Sequence, residues 1–255
     1  MEDLNKLTIE DHTSSQNHDG TWTHGISEGI DAPPVVSSTT TAYFRELETH
    51  LLRHINEAEA VLGCVAWLTN KAILDALAKK ELVALVVQKE DFLRPDLRSG
   101  RNWNAQLRKR YDLLTCTWDR YFLPGLVSSL SVAGDGTMYP VRCVGNYNRD
   151  KSPAFPRMHH KFVVLCRKIG DMSAYYDLDV WDETGASRPH LEPYAVWTGS
   201  FNFTENGVRS LENAIYSTDL AIVEAYTDEW ARIEALSEPL DWKTDWVAPE
   251  WRLGT

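Results

Sequence analysis

Residues 61–88 constrain the fold more than any other stretch. "VLGCVAWLT" (61–69) is almost continuously apolar, "NKAILDALAKK" (70–80) has apolar residues at helical spacing, and "LVALVVQ" (82–88) is apolar again. Short unbroken apolar runs read as strands buried on both faces. Asn70 stands where a helix needs a side-chain acceptor for its first free N–H groups. Strand, helix and strand within about thirty residues form a βαβ unit, which implies parallel pairing because the helix carries the chain back to the same end.

The rest of the chain fits around that unit. "AYFRELETHLLRHINEAEA" (42–60) places Phe44, Leu47, Leu51, Ile55 and Ala58 at spacings of three and four, which predicts an amphipathic helix. The basic, aromatic segment 89–126 reads as loop followed by helix. "GDGTMYPVRCVG" (134–145) reads as turn and strand, "HKFVVLC" (160–166) and "YAVWTGS" (194–200) as strands, and "DEWARIEAL" (228–236) as a late helix. The class is α/β, with a mixed β-sheet flanked by helices. Residues 1–38, rich in Ser, Thr, Asp, His and Gly, are expected to form an extended or flexible arm. The main domain spans 39–240, and the Trp-rich end 241–255 is expected to pack back on it.

The start of the chain is polar and acidic, without the apolar core of a secretory signal. The run "VLGCVAWL" (61–68) falls far short of the roughly 20 residues a membrane span needs. The expectation is a soluble, cytoplasmic protein with no stable membrane association. Cys64, Cys116, Cys143 and Cys166 stand apart with no CxxC pair, against a zinc ribbon or a disulfide framework. The net charge of −11 argues against a nucleic-acid ligand, but residues 94–168 hold 14 Lys/Arg against 5 Asp/Glu. Such a basic field suits a polyanion; it also suits a helix face covered by solvated arginines. Trp103 and Tyr111, within it, are the right residues for stacking on bases or for ordinary packing.

"PRMHHKFVVL" (156–165) raises the chemical question. In a strand, residues two apart share a face, so His159 and Lys161 point together and His160 points away, into the core by expectation. A second element, "VWTGSFNFTENG" (196–207), sets Gly199, Ser200 and Asn202 just past an apolar strand. Glu212 comes next in "SLENAIY" (210–216), a carboxylate able to orient a histidine through its second ring nitrogen.

His-x-Lys followed by Gly-Ser-x-Asn and a Glu-Asn pair resembles the phospholipase D superfamily, above all its small, single-motif, nuclease-like members. The resemblance covers roughly residues 42–236 and places His159, Lys161, Ser200, Asn202 and Glu212 on the family's catalytic pattern. It implies a phospholipase D-like fold and phosphodiester hydrolysis through a phosphohistidine, with no metal and no cofactor. Lys and Asn would hold the phosphoryl oxygens. Single-motif members complete the site by pairing two chains, so the resemblance implies a homodimer with a composite site at its interface.

The expected activity is that of an endonuclease on DNA or RNA, with Arg108, Lys109, Arg110 and Arg157 as substrate-binding residues. A lipid phosphodiesterase and a catalytically weakened nucleic-acid-binding module are the alternatives. The sequence departs from the pattern twice. Cys166 stands where the family usually has Asp, and residues 167–193 run some two dozen residues longer than the usual turn, as a hairpin or loop beside the site.

Overall fold

The computed structural model describes residues 3–6, 15–20, 22–23, 33–94, 102–116, 139–152, 154–169 and 190–248. In chain order these form β1 (Ser15–Gln16), β2 (Trp22–Thr23), β3 (Val35–Val36), β4 (Thr40–Tyr43), α1 (Leu47–Glu57), β5 (Ala60–Val65), α2 (Lys71–Leu77) and β6 (Leu82–Gln88). The second half adds α3 (Asn102–Tyr111), β7 (Val141–Val144), β8 (Lys161–Ile169), β9 (His190–Gly199), α4 (Glu205–Val208), β10 (Ala214–Ser217) and α5 (Leu220–Ala235).

β3 to β10 form one mixed sheet in the order β3-β4-β10-β9-β8-β5-β6-β7. β5, β6 and β7 are parallel, and every other neighbouring pair is antiparallel. The expected βαβ unit is present as β5-α2-β6, and Asn70 caps α2 by accepting the Ile73 N–H at 2.9 Å.

Strand alternation divides the core in two. Val61, Val65, Val83, Leu85, Val87, Val163 and Leu165 face one way, onto Leu51 and Ile55 of α1, Ile73 and Leu77 of α2 and Leu107 of α3. Leu62, Cys64, Ala84, Val86, Phe162, Val164 and Cys166 face the other way, onto Trp230, Ala231 and Ile233 of α5. Helices thus cover both faces of the sheet, which is why its central strands have no polar side. Trp230, fully buried, donates its indole N–H to the Ala84 carbonyl at 3.1 Å.

The first helix begins later than its periodicity suggested. Thr40–Tyr43 is a strand, not a first helical turn, and α1 starts at Leu47. β-Branched threonines and a tyrosine suit a pleated surface, and pairing of Tyr43 with Ala214 gives β10 its second neighbour. Phe44, one of the expected apolar positions, is exposed. Val35–Val36, inside the stretch read as an arm, adds the edge strand, while Leu4 N–H donates to the Arg209 carbonyl at 3.0 Å.

At the other end, Trp242 is buried against Tyr147, ring centroids 4.7 Å apart, and buried Lys89 pairs with Glu238. Residues 241–248 therefore lie against the body, and 249–255 fall outside the described residues. β8 and β9 run on as a pair as far as Ile169 and His190. The long insertion's central part, 170–189, lies outside the described residues. No helix among the described residues is long and apolar enough to cross a membrane.

Candidate active site

The site forms where β5 and β6 end and β8 begins. Val65, the last residue of β5, pairs with Lys161, the first of β8, and Ala66 N–H donates to the His160 carbonyl at 2.8 Å. On the far side of β8, Thr198 pairs with Phe162, so β9 delivers Gly199 beside Lys161. The chain then crosses the end of β8. Thr69 and Asn70 N–H groups both donate to the Phe203 carbonyl at 2.9 Å, beyond β5. Ser200 and Asn202 lie on this crossing, between the end of β9 and Phe203.

Gly199 is required by the approach of the neighbouring strand. A Cβ there would stand 2.2 Å from the Asn213 carbonyl oxygen. The same closeness brings Ser200 to the Glu212–Asn213 pair: Ser200 N–H donates to Asn213 O at 3.1 Å, Asn213 N–H donates to Ser200 Oγ at 3.1 Å, and the Ser200 hydroxyl donates to the Glu212 carboxylate.

His159 and Lys161 share a face, as their spacing predicts. Lys161 Nζ lies 3.3 Å from both ring nitrogens of His159 and donates to the His159 carbonyl at 3.0 Å. Partial burial, then the charges of Lys161, Arg157 and His160, lower the His159 pKa and so favour its neutral imidazole. Burial lowers the Lys161 pKa as well, and the Glu212 carboxylate opposes that shift. Glu212 thus acts on Lys161 and Ser200 rather than on a ring nitrogen of His159. Asn202 Oδ1 is buried with no hydrogen-bond partner, so this amide keeps unmet bonding capacity at the site. An imidazole with an ammonium beside it can attack and neutralise a phosphoryl group, and Glu212 lies near enough for its charge to act on that ammonium.

His160 is not a core residue. Its side chain is 45% exposed and stands 3.5 Å from Glu229 of α5. It points to the opposite face, as expected, but the start of β8 projects beyond the helix-covered core. Cys166 is fully buried on that opposite face, under α5, with its thiol pKa pushed up by burial. An odd separation from Lys161 along the strand puts it there, so the missing Asp is a matter of core packing and does not touch the His159 face.

The basic residues divide. Arg157 lies at the site, its guanidinium carbon 5.8 Å from the centroid of Trp67, whose ring stands edge-on to His159 at 5.2 Å. Arg108, Lys109 and Arg110 occupy the last turn of α3, from which the chain runs on to Thr115 at the start of β6. Arg110 pairs with Asp75, and Arg108 lines a cleft of about 520 Å³ with Tyr139 and Val141. Tyr111 is a packing residue, 4% exposed, its hydroxyl donating to the Leu68 carbonyl at 2.6 Å. Trp103 is half-exposed against Phe92.

Two contributors carry little signal in the sequence. Trp67 sits inside an apolar run with nothing to separate it from a core residue. Gln88 ends β6 wholly buried: its Oε1 accepts the Met158 N–H at 2.8 Å and its Nε2 donates to the Asn146 carbonyl at 2.7 Å. It clips the loop after β7 to the segment entering His159. Its one signal is a polar residue closing an otherwise apolar strand.

The fold is a helix-covered mixed α/β sheet, with His159 and Lys161 paired at the ends of its central strands. The chain belongs to the same family as the uncharacterized protein L381 of Acanthamoeba polyphaga mimivirus, to which it is 31% identical over 215 residues, 79% of this chain and 67% of the viral protein. No protein-family model matches. Among solved structures it is similar to Nuc from Salmonella typhimurium, a phospholipase D family member, with 14% identity, TM-score 0.44, and coverage of 81% of this chain and 99% of that one. It is also similar to NucT from Helicobacter pylori, with 11% identity, TM-score 0.45, and coverage of 78% and 98%. A third likeness is to phosphatidylserine synthase of Haemophilus influenzae, with 10% identity, TM-score 0.40, and coverage of 88% and 44%.

Proposed function

We propose that this protein is a metal-independent phosphodiesterase of the phospholipase D type, acting on nucleic acid as an endonuclease through a phosphohistidine. The observation that carries the reading is the His159 imidazole held against Lys161, with Asn202 and the Ser200–Glu212 pair on the chain crossing that follows β9. His159 attacks phosphorus: the N–P bond forms and the ester P–O bond breaks. An imidazolium, His159 of a second copy of the chain, gives its proton to the leaving oxygen. That imidazole, now neutral, takes a proton from water as the water oxygen displaces the first histidine. Lys161 and Asn202 hold the phosphoryl oxygens throughout, and Glu212 steadies Lys161 and Ser200. We assign the substrate contact nearest the reacting phosphate to Arg157. The basic turn at Arg108, Lys109 and Arg110 reaches only a more distant part of a long polyanion.

The test is cleavage of labelled single- and double-stranded DNA and RNA with and without EDTA. Cleavage should persist in EDTA, disappear in His159→Ala, and fall by orders of magnitude in Lys161→Ala and Asn202→Ala. A reaction that stops on chelation and returns with magnesium, or one that survives His159→Ala, overturns the assignment.

A further inference from the structure

Beside His159 the structure carries an aromatic group that phosphodiester chemistry does not require. Trp67 lies just after β5, half-buried, its ring edge-on to His159 at 5.2 Å. Its single polar atom is already engaged, because the indole N–H donates to Glu90 Oε1 at 3.0 Å. What Trp67 has left to offer a ligand is therefore ring surface. The Arg157 guanidinium carbon lies 4.1 Å from the Phe155 centroid and 5.8 Å from that of Trp67. Arg157 makes no ion pair among the described residues, so its charge remains available next to the ring while Phe155 supports its flat face. Lys161 Nζ is 6.0 Å from the same Trp67 centroid.

Charge decides what such a surface takes. An indole face attracts cations, but here two cations already stand over it. A choline or ethanolamine headgroup on a phosphate at His159 would meet both of them. The nearest carboxylate, Glu90, is held on the indole N–H edge. A nucleobase is neutral, planar and covalently tied to the phosphate that Lys161 and Arg157 attract. It can stack only where its face is free, which a duplex denies and a single strand allows.

We infer that Trp67, flanked by Arg157 and Phe155, is the platform on which the base next to the scissile phosphate stacks, so that the substrate is single-stranded nucleic acid. This deepens the phosphodiesterase reading and rests on it for the position of the phosphate.

The experiment measures binding by fluorescence anisotropy in the His159→Asn background, so that turnover does not intervene. An oligothymidylate is compared with an abasic oligomer of the same length and charge. The expected preference for the oligothymidylate is about 5- to 150-fold, the range for one stacked base. Trp67→Ala should bring the ratio close to one while leaving abasic binding unchanged, and Trp67→Phe, which keeps a ring, should retain most of it. Trp67→Leu, which keeps apolar bulk without a ring, covers the case in which the alanine variant fails to fold and should likewise bring the ratio close to one. A ratio untouched by Trp67→Phe and Trp67→Ala alike, an equal loss for both oligomers, or faster cleavage of phosphatidylcholine vesicles than of oligonucleotide by the wild-type protein overturns the inference. The two readings fail separately. Cleavage that needs His159 but shows no base preference sinks the platform alone, whereas a Trp67-dependent preference with cleavage indifferent to His159 sinks the phosphohistidine alone.

Discussion

At the scale of single residues, the decisive group is a histidine whose surroundings favour its uncharged form. Burial, then the charges of Lys161, Arg157 and His160, all favour the neutral imidazole. A lowered pKa means that the nucleophilic form persists below the ordinary histidine range near 6.5 and is lost only as pH falls through the lowered value. The acid limb of kcat/KM should accordingly lie below pH 6.5. Lys161→Met removes one of the opposing charges, so the NMR titration of the His159 Cε1–H should move up toward the ordinary value. An unmoved titration would mean that Lys161 and His159 do not share a site in solution. Cys166 makes the opposite point. It stands where the family usually has Asp, and its parity along β8 puts it under α5, away from the His159 face.

Elements matter here through their ends. β5 and β6 stop at the site, and the residues just past each strand do the positioning. After β6, the Gln88 amide ties Met158 to Asn146, and Gly145 makes room for it with a left-handed φ of 102°. A Cβ on Gly145 would stand 2.3 Å from Gln88 Oε1. Gln88→Leu leaves the buried Met158 N–H and Asn146 carbonyl without their partner, each at a cost of about 1–3 kcal/mol. The expected outcome in urea melts is a loss of at least about 2 kcal/mol, with a larger fall in kcat than in KM as His159 loses its fixed approach. Wild-type stability and kinetics in this variant would remove Gln88 from the positioning of the site. α3 carries its basic cluster in its last turn, where Arg110 pairs with Asp75 of α2 and Tyr111 bonds the Leu68 carbonyl.

For the whole molecule, one His159 cannot be both attacking nucleophile and leaving-group acid in the same step, so the proposed chemistry calls for two chains. Mixing wild-type and His159→Ala chains under conditions that permit subunit exchange tests this. With random pairing about a two-fold axis, an equal mixture should keep about a quarter of the all-wild-type activity, against about half if each chain acts alone. A linear fall with verified exchange, or a fully active monomer in sedimentation, would refute the shared site and require a second histidine such as His160 or His190.

Sequence by itself determined whatever depends on local periodicity. The apolar runs 61–69 and 82–88 with a capped helix between them specify β5-α2-β6, because a chain cannot return to the same strand end without a crossover. The i, i+2 spacing put His159 and Lys161 on one face, and Ser200 and Asn202 just past a strand end. Tertiary structure alone decided what depends on neighbours distant in the chain. Thr40–Tyr43 became a strand because β10, some 170 residues later, offered an edge to pair with. Trp67 joined the site because β8 entered beside β5, and Gln88 because two loops from other strands needed the same amide. His160 escaped burial because strand parity assigns only a face, whereas depth is set by what packs alongside.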